Sequence, residues 1–245
     1  MESLSEYHID GPYVEDFIPS RGQIPSDPEP GNYVVIDVTH FSTTVLELFN
    51  QNAALVHVTE ERGDEFEYKK KHPNAKIGGG SSDTYTPTEG YDFFNSPTYV
   101  TTVDVADRPT ALTSSNGGAA ITELRKNAAG NPDVDIYVGS TANAQAIADY
   151  LRTDDKKTIP LAAGSKRKPS PEDVIGGILI HRHLVNNPPT DAEIKLYQEI
   201  IKAGKAAKYV NKAAIRCNDL MEYSMQVNTH TAIPKLDGQD LIDVS

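Results

Sequence analysis

Apolar runs that stop at clusters of small polar residues divide this chain into repeated strand-to-helix units. Residues 33–38 form a buried-strand run; Ser42, Thr43 and Thr44 follow, and helical spacing takes over from about residue 44 to 51. The order recurs at 110–113 with a helix ending near 127, at 135–138 with an alanine-rich helix over 142–152, and at 158–163 with a helix over 172–185. Residues 55–58 add a strand, 191–210 a long helix and 232–234 an edge strand. Alternating strands and helices predict right-handed crossovers, hence an α/β fold: three α/β/α layers around a mainly parallel sheet.

Residues 1–32 carry Pro12, Pro19, Pro25, Pro28 and Pro30, which interrupt any periodicity. They read as an irregular N-terminal arm, leaving 33–245 as the α/β domain, in one body or two closely packed lobes. Each unit has a polar turn where its strand ends. Capping of the next helix explains any one such turn; several on one sheet edge mark the place where open α/β sheets bind anions.

Composition narrows the options. A net charge of −12 argues against nucleic-acid binding. A single cysteine, Cys217, excludes an internal disulfide and a cysteine-rich zinc site. No apolar stretch reaches membrane-span length and residues 1–6 lack signal-peptide character, so a cytoplasmic protein without membrane contact is expected. In so negative a chain, an anionic ligand needs local positive charge or a metal.

Asp37, directly after the buried run, is the leading chemical candidate: a rigid, partly desolvated carboxylate suits a metal ligand or a base as well as it suits a turn cap. Thr39 stands where a haloacid-type phosphatase has its second aspartate, and no P-loop is present. Asn116 and Gly117 could present backbone N–H groups to an anion or simply make a tight turn. Glu172 and Asp173 open a helix, where carboxylates also favour the dipole. Lys166, Arg167 and Lys168 lie in a loop on the edge that holds Asp37, as a solvated loop or as the positive charge an anion requires. Lys69, Lys70 and Lys71 read as a solvated helix face, and Gly78, Gly79 and Gly80 as a mobile loop. His181 and His183, two apart on a helix, face apart and read as structural.

Four segments in order carry a resemblance: Asp37-Val38-Thr39-His40-Phe41-Ser42-Thr43-Thr44, Gly90-Tyr91-Asp92-Phe93-Phe94-Asn95-Ser96-Pro97, Ser114-Ser115-Asn116-Gly117-Gly118, and Ala163-Gly164 with Ser170-Pro171-Glu172-Asp173. They are similar to the motifs of the 2-phosphosulfolactate phosphatase family, magnesium-dependent phosphatases of coenzyme M synthesis. The resemblance covers about residues 33–234. It implies hydrolysis of a small anionic phosphate monoester with Mg2+ held by Asp37 and by Asp173 or Glu172. His40, Glu172 and Asp173 join Asp37 as catalytic candidates; Ser42, Thr43, Thr44, Asn95, Ser96, Asn116, Gly117 and Lys166 are the substrate-binding candidates. A homo-oligomer is compatible with it.

The departures are specific. His40 stands where the family has arginine, Gly78-Gly79-Gly80-Ser81 where it has Gly-Gly-Glu-Arg, and Phe94 where it has glycine, which predicts a crowded pocket. Loss of two guanidiniums removes bidentate grip on an oxyanion. The expected replacement is the cluster Lys166 to Lys168. The competing expectation is a catalytically weakened member that binds an anion or a protein; a nucleotide-binding module lacks its glycine fingerprint.

Overall fold

The computed structural model describes residues 17–129, 131–204 and 213–245. Residues 1–16 of the expected arm and 205–210 of the expected long helix lie outside them. The nine strands are β1 (Gly31–Ile36), β2 (Leu55–Val58), β3 (Lys76–Gly79), β4 (Phe93–Phe94), β5 (Pro109–Leu112), β6 (Val134–Gly139), β7 (Thr158–Ala162), β8 (Pro234–Asp237) and β9 (Asp240–Asp243). They form one sheet in the order β4-β3-β5-β2-β9-β8-β6-β1-β7.

Every residue of β1 is buried, because the strand is covered on both faces, as parallel central strands are. The period of two sorts its side chains. Tyr33 and Val35 enter one core with α1 (Phe41–Asn50) and α4 (Gly117–Asn127). Val34 and Ile36 enter the other with α5 (Ala144–Leu151), α6 (Pro171–Leu184) and α7 (Asp191–Ala203). Two cores flanking one sheet are the three layers expected. No helix among the described residues is long and apolar enough to cross a membrane.

The mainly parallel sheet is interrupted at its centre. β6, β1 and β7 pair in parallel, and so do β2, β5, β3 and β4. Between these groups sits the hairpin of β8 and β9, antiparallel to each other, to β6 and to β2. The residues read as an edge strand therefore lead into the middle of the sheet. Pro234 is tolerated because it opens β8, where a missing N–H costs little. Gly238, in the left-handed region at φ 63°, makes the two-residue hairpin turn.

Two further corrections concern glycine and proline. Gly78 and Gly79 belong to β3 rather than to a loop, and a side chain on either would strike the rings of Phe93 and Tyr91 respectively. β1 begins at Gly31, inside the segment read as irregular; residues 21–23 before it form a single 3-10 turn.

Helix α1 is buried from Phe41 to Phe49, polar residues included. Burial alone would raise the Glu47 carboxyl, but hydrogen bonds from His230 (3.1 Å) and Gln51 (2.8 Å), with Asn50 nearby, hold it below its ordinary 4.5. The carboxylate thus ties α1 to the segment entering β8. A depressed carboxyl stabilises the fold above its unfolded pKa, and that contribution is lost as pH falls through the folded value. We expect Glu47→Gln to lower the urea midpoint at about pH 7 and to reduce its loss between about pH 5 and about pH 3. An unchanged acid slope would exclude this role.

Candidate active site

The chain leaves β1 in a dry interior, so the backbone groups of that turn require internal partners. Ser42 Oγ accepts from Asp37 N–H (2.9 Å), Asp37 C=O accepts from Ser42 N–H (2.9 Å), and Thr43 Oγ1 donates to Val38 C=O (2.7 Å). Asp173 reaches across from α6: its Oδ1 accepts from Val38 N–H (2.8 Å) and its Oδ2 from Gly164 N–H (2.9 Å). One carboxylate therefore joins the ends of β1 and β7.

Asp37 itself points toward β5. Its Oδ2 accepts from the N–H of Gly117 (2.8 Å), at the first turn of α4, and from Ser114 Oγ (3.3 Å). The helix comes this close only because residue 117 is glycine: a Cβ there would lie 2.9 Å from Asp37 Cβ and 2.5 Å from the Phe41 ring. Asp37 is 1% exposed.

A cavity of about 230 Å³ opens beside it, lined by Asp37, Thr39 and His40 from the β1 turn, Gly79, Gly80 and Ser81 after β3, Asn95 after β4, and residues 113–116 after β5. Two guanidiniums complete it, Arg62 and Arg216. Arg216, on α8 (Ala214–Asn218), is buried. Its Nη1 donates to Asn95 C=O (2.9 Å) and to Asp219 Oδ2 (2.9 Å), and its guanidinium lies 4.9 Å from the Phe94 ring centre and 5.3 Å from that of Tyr85. Planar charge over aromatic rings is a favourable arrangement.

The candidates divide on this geometry. Asp37, His40, Asn95 and Asn116 line the cavity, and Gly117 holds the carboxylate at its wall. Ser42 and Thr43 are engaged with the β1 turn, Thr44 is buried in α1, and none of the three lines the cavity. Ser96 caps α3 (Pro97–Val100) by accepting from Tyr99 N–H, and it donates to Asp219 Oδ1 (2.6 Å). Glu172 is fully buried near Gly204 at the end of α7, away from the lining residues.

The basic cluster is also placed elsewhere. Lys166 and Arg167 form an exposed two-residue turn, both at positive φ (51° and 63°), and Arg167 forks onto Glu123 at 2.9 Å through each Nη. Neither lines the cavity. Phe94 is fully buried and does not line the cavity; its ring packs against the Arg216 guanidinium.

Sequence reading missed both arginines. Arg62 had a usable signal, since β2 is followed by the polar turn 59–63 and by α2 (Asp64–Lys71), a further copy of the strand-to-helix grammar. Arg216 had none: a short helix far along the chain brings it in.

Asn95 Oδ1 is buried at this wall without a hydrogen-bond partner, and with Asp37 it offers hard oxygen donors. Among the described residues no cluster of three His, Cys, Asp or Glu side chains could hold a metal. That donor set is poor for a fully protein-ligated ion but suits Mg2+, which binds through one or two protein oxygens and keeps water and phosphate ligands.

Fold and cavity together define an α/β/α protein with an arginine-bearing, oxyanion-sized pocket where strand ends converge. The family model described as 2-phosphosulpholactate phosphatase matches residues 19–240, and the chain belongs to that family. A relative from Clostridium botulinum (strain Alaska E43 / Type E3), named "Probable 2-phosphosulfolactate phosphatase", is 24% identical over 222 residues, covering 85% of this chain and 90% of the relative. Proteins with the same name from Clostridium novyi (strain NT) and Deinococcus radiodurans are 30% identical over 164 residues and 25% identical over 163, each covering 66% of this chain and 65% of the relative.

The double acceptance by Asp173 predicts a cost independent of any ligand. Asp173→Ala leaves two buried N–H groups unpaired and should destabilise the protein by about 2–5 kcal/mol in metal-free buffer, read by urea unfolding. An unchanged midpoint would show that Asp173 is not a structural tie.

Proposed function

We propose that this protein hydrolyses a small phosphate monoester, 2-phosphosulfolactate or a close relative, to the alcohol and phosphate. The observation that carries the reading is the cavity itself: a buried carboxylate and two guanidiniums at a pocket the size of a small oxyanion, in a chain of the phosphatase family.

Asp37 and Asn95 would hold Mg2+ in this scheme, with Asp37 fixed by Gly117 and Ser114 before any ligand arrives. When bound, the ion supplies positive charge against the phosphoryl oxygens. Arg216 and Arg62 bind and orient the phosphate, whose trigonal transition state spreads negative charge over its equatorial oxygens. Water forms the new bond to phosphorus as the ester P–O bond breaks; the leaving oxygen takes up one proton and the attacking water gives one up to solvent, so the hydrolysis balances as alcohol and phosphate. His40, on the cavity wall, is the proton-carrying group we assign to that oxygen. Hydrogen bonds hold Asp37 and Arg216, so these two groups need little reorganisation.

Phosphate release from a panel of small esters, 2-phosphosulfolactate included, tests the activity with Mg2+ and with chelator. We expect metal-dependent release that falls by about 10³-fold or more in Asp37→Asn and by about 10²–10³-fold in Arg216→Ala. Alanine at Lys166, Arg167 and Lys168 together should leave turnover within about twofold of wild type. No release from any ester at high protein concentration would overturn the reading in favour of a non-catalytic anion-binding or protein-interaction role.

A further inference from the structure

Arg62 lines the cavity and pairs with no carboxylate among the described residues, unlike Arg216. Its guanidinium lies against Gly80: a Cβ at that position would stand 2.8 Å from Nη1, 2.9 Å from Cζ and 3.2 Å from Nη2. Any side chain at residue 80 would occupy the space the guanidinium fills. Gly80 is outside the left-handed region, so its backbone does not require glycine. The missing side chain matters for the room it leaves.

The turn that carries Arg62 is itself pinned. Glu65, fully buried, accepts from Thr59 Oγ1 (3.0 Å) through Oε1, and from Gly63 N–H (2.8 Å) and the Tyr91 hydroxyl (3.1 Å) through Oε2. Burial first, and Glu65 next, push the Tyr91 hydroxyl up to about 12, so it keeps the proton it donates. Thr59 in turn meets Thr113 of the cavity wall at 2.8 Å. Gly63, at φ 110°, lets the chain enter α2 immediately after Arg62.

We infer that Arg62 is the residue that captures ligand oxyanions at the cavity, that Gly80 lacks a side chain to admit it, and that Glu65 is the positioning residue for its turn. A guanidinium delivered from between β2 and α2 thus supplies the charge missing at His40 and Ser81. The role presupposes the proposed phosphatase activity for its substrate, but not for phosphate binding as such.

The test compares wild type, Arg62→Ala, Gly80→Ala and the double variant by calorimetric binding of inorganic phosphate and by ester kinetics with Mg2+. The three atoms nearest to a new Cβ all belong to the flexible end of Arg62, so Gly80→Ala should unfold at the wild-type urea midpoint. Each single change should raise the phosphate Kd and the ester KM about tenfold or more while kcat changes far less. The double variant should be no worse than Arg62→Ala, because both changes remove one interaction. Arg62→Lys, which keeps the charge without the fork, should recover only part of the affinity. Wild-type affinity in Gly80→Ala, or additive effects in the double variant, would overturn the inference and leave the phosphatase reading intact. A wild type that binds no phosphate and hydrolyses no ester would remove both.

Discussion

The turn after β1 sits in the interior, and each backbone donor and acceptor there must find a partner away from water. An unpaired buried N–H or C=O costs about 1–3 kcal/mol, so this turn is satisfied before anything else is arranged. Ser42 and Thr43 close the turn on itself, while Asp173 and Ser224 reach it from other elements. Val38 alone is held by Asp173 at its N–H and by Thr43 and Ser224 at its C=O. This lattice fixes the direction of Asp37, and a carboxylate so fixed is what makes the neighbouring cavity a definite shape.

The second constraint is topological. Three successive antiparallel pairings separate the two parallel groups, so β6-β1-β7 and β2-β5-β3-β4 run in opposite senses across the sheet. Ends of β1, β3 and β5 nevertheless line one cavity. A cavity assembled in this way draws residues from distant parts of the chain, here from 37 to 216, rather than from one edge of a single parallel sheet.

That geometry explains what could be read in advance. The four strand-to-helix units stand within a few residues of their expected bounds, because each is a local alternation of apolar and polar positions. Asp37, His40, Asn95 and Asn116 were legible through their motifs. The hydroxyls of Ser42 and Thr43 and the carboxylate of Asp173 carry the same sequence signature whether they bind a ligand or close a turn. Only the placement of their partners separates the two. The central hairpin was hidden for a related reason: β8 and β9 are short and half polar, and their burial comes from pairing rather than from composition. Arg216 depends on Asp219, Phe94 and Tyr85, three contacts no periodicity reveals.

Charge at the cavity bears on what it can hold. Arg216 is bound to Asp219, and Arg62 and Asp37 line the same cavity, so two cations and two carboxylates meet there. Separating Arg216 from Asp219 would leave a buried charge unpaired, at a cost of about 3–5 kcal/mol, so this cation orients an anion more than it attracts one. Arg62 is then the cation that attracts a phosphate dianion, at a wall whose other charges largely cancel. A divalent ion at Asp37 changes the local balance by two units, which supports the Mg2+ proposal on electrostatic grounds separate from family membership. The acidity of the whole chain, −12, does not oppose this. Exposed charges are screened within about 8 Å at physiological salt, whereas charges about 4 Å apart near a protein surface interact by about 4 kcal/mol. The few groups at the wall outweigh the many on the surface.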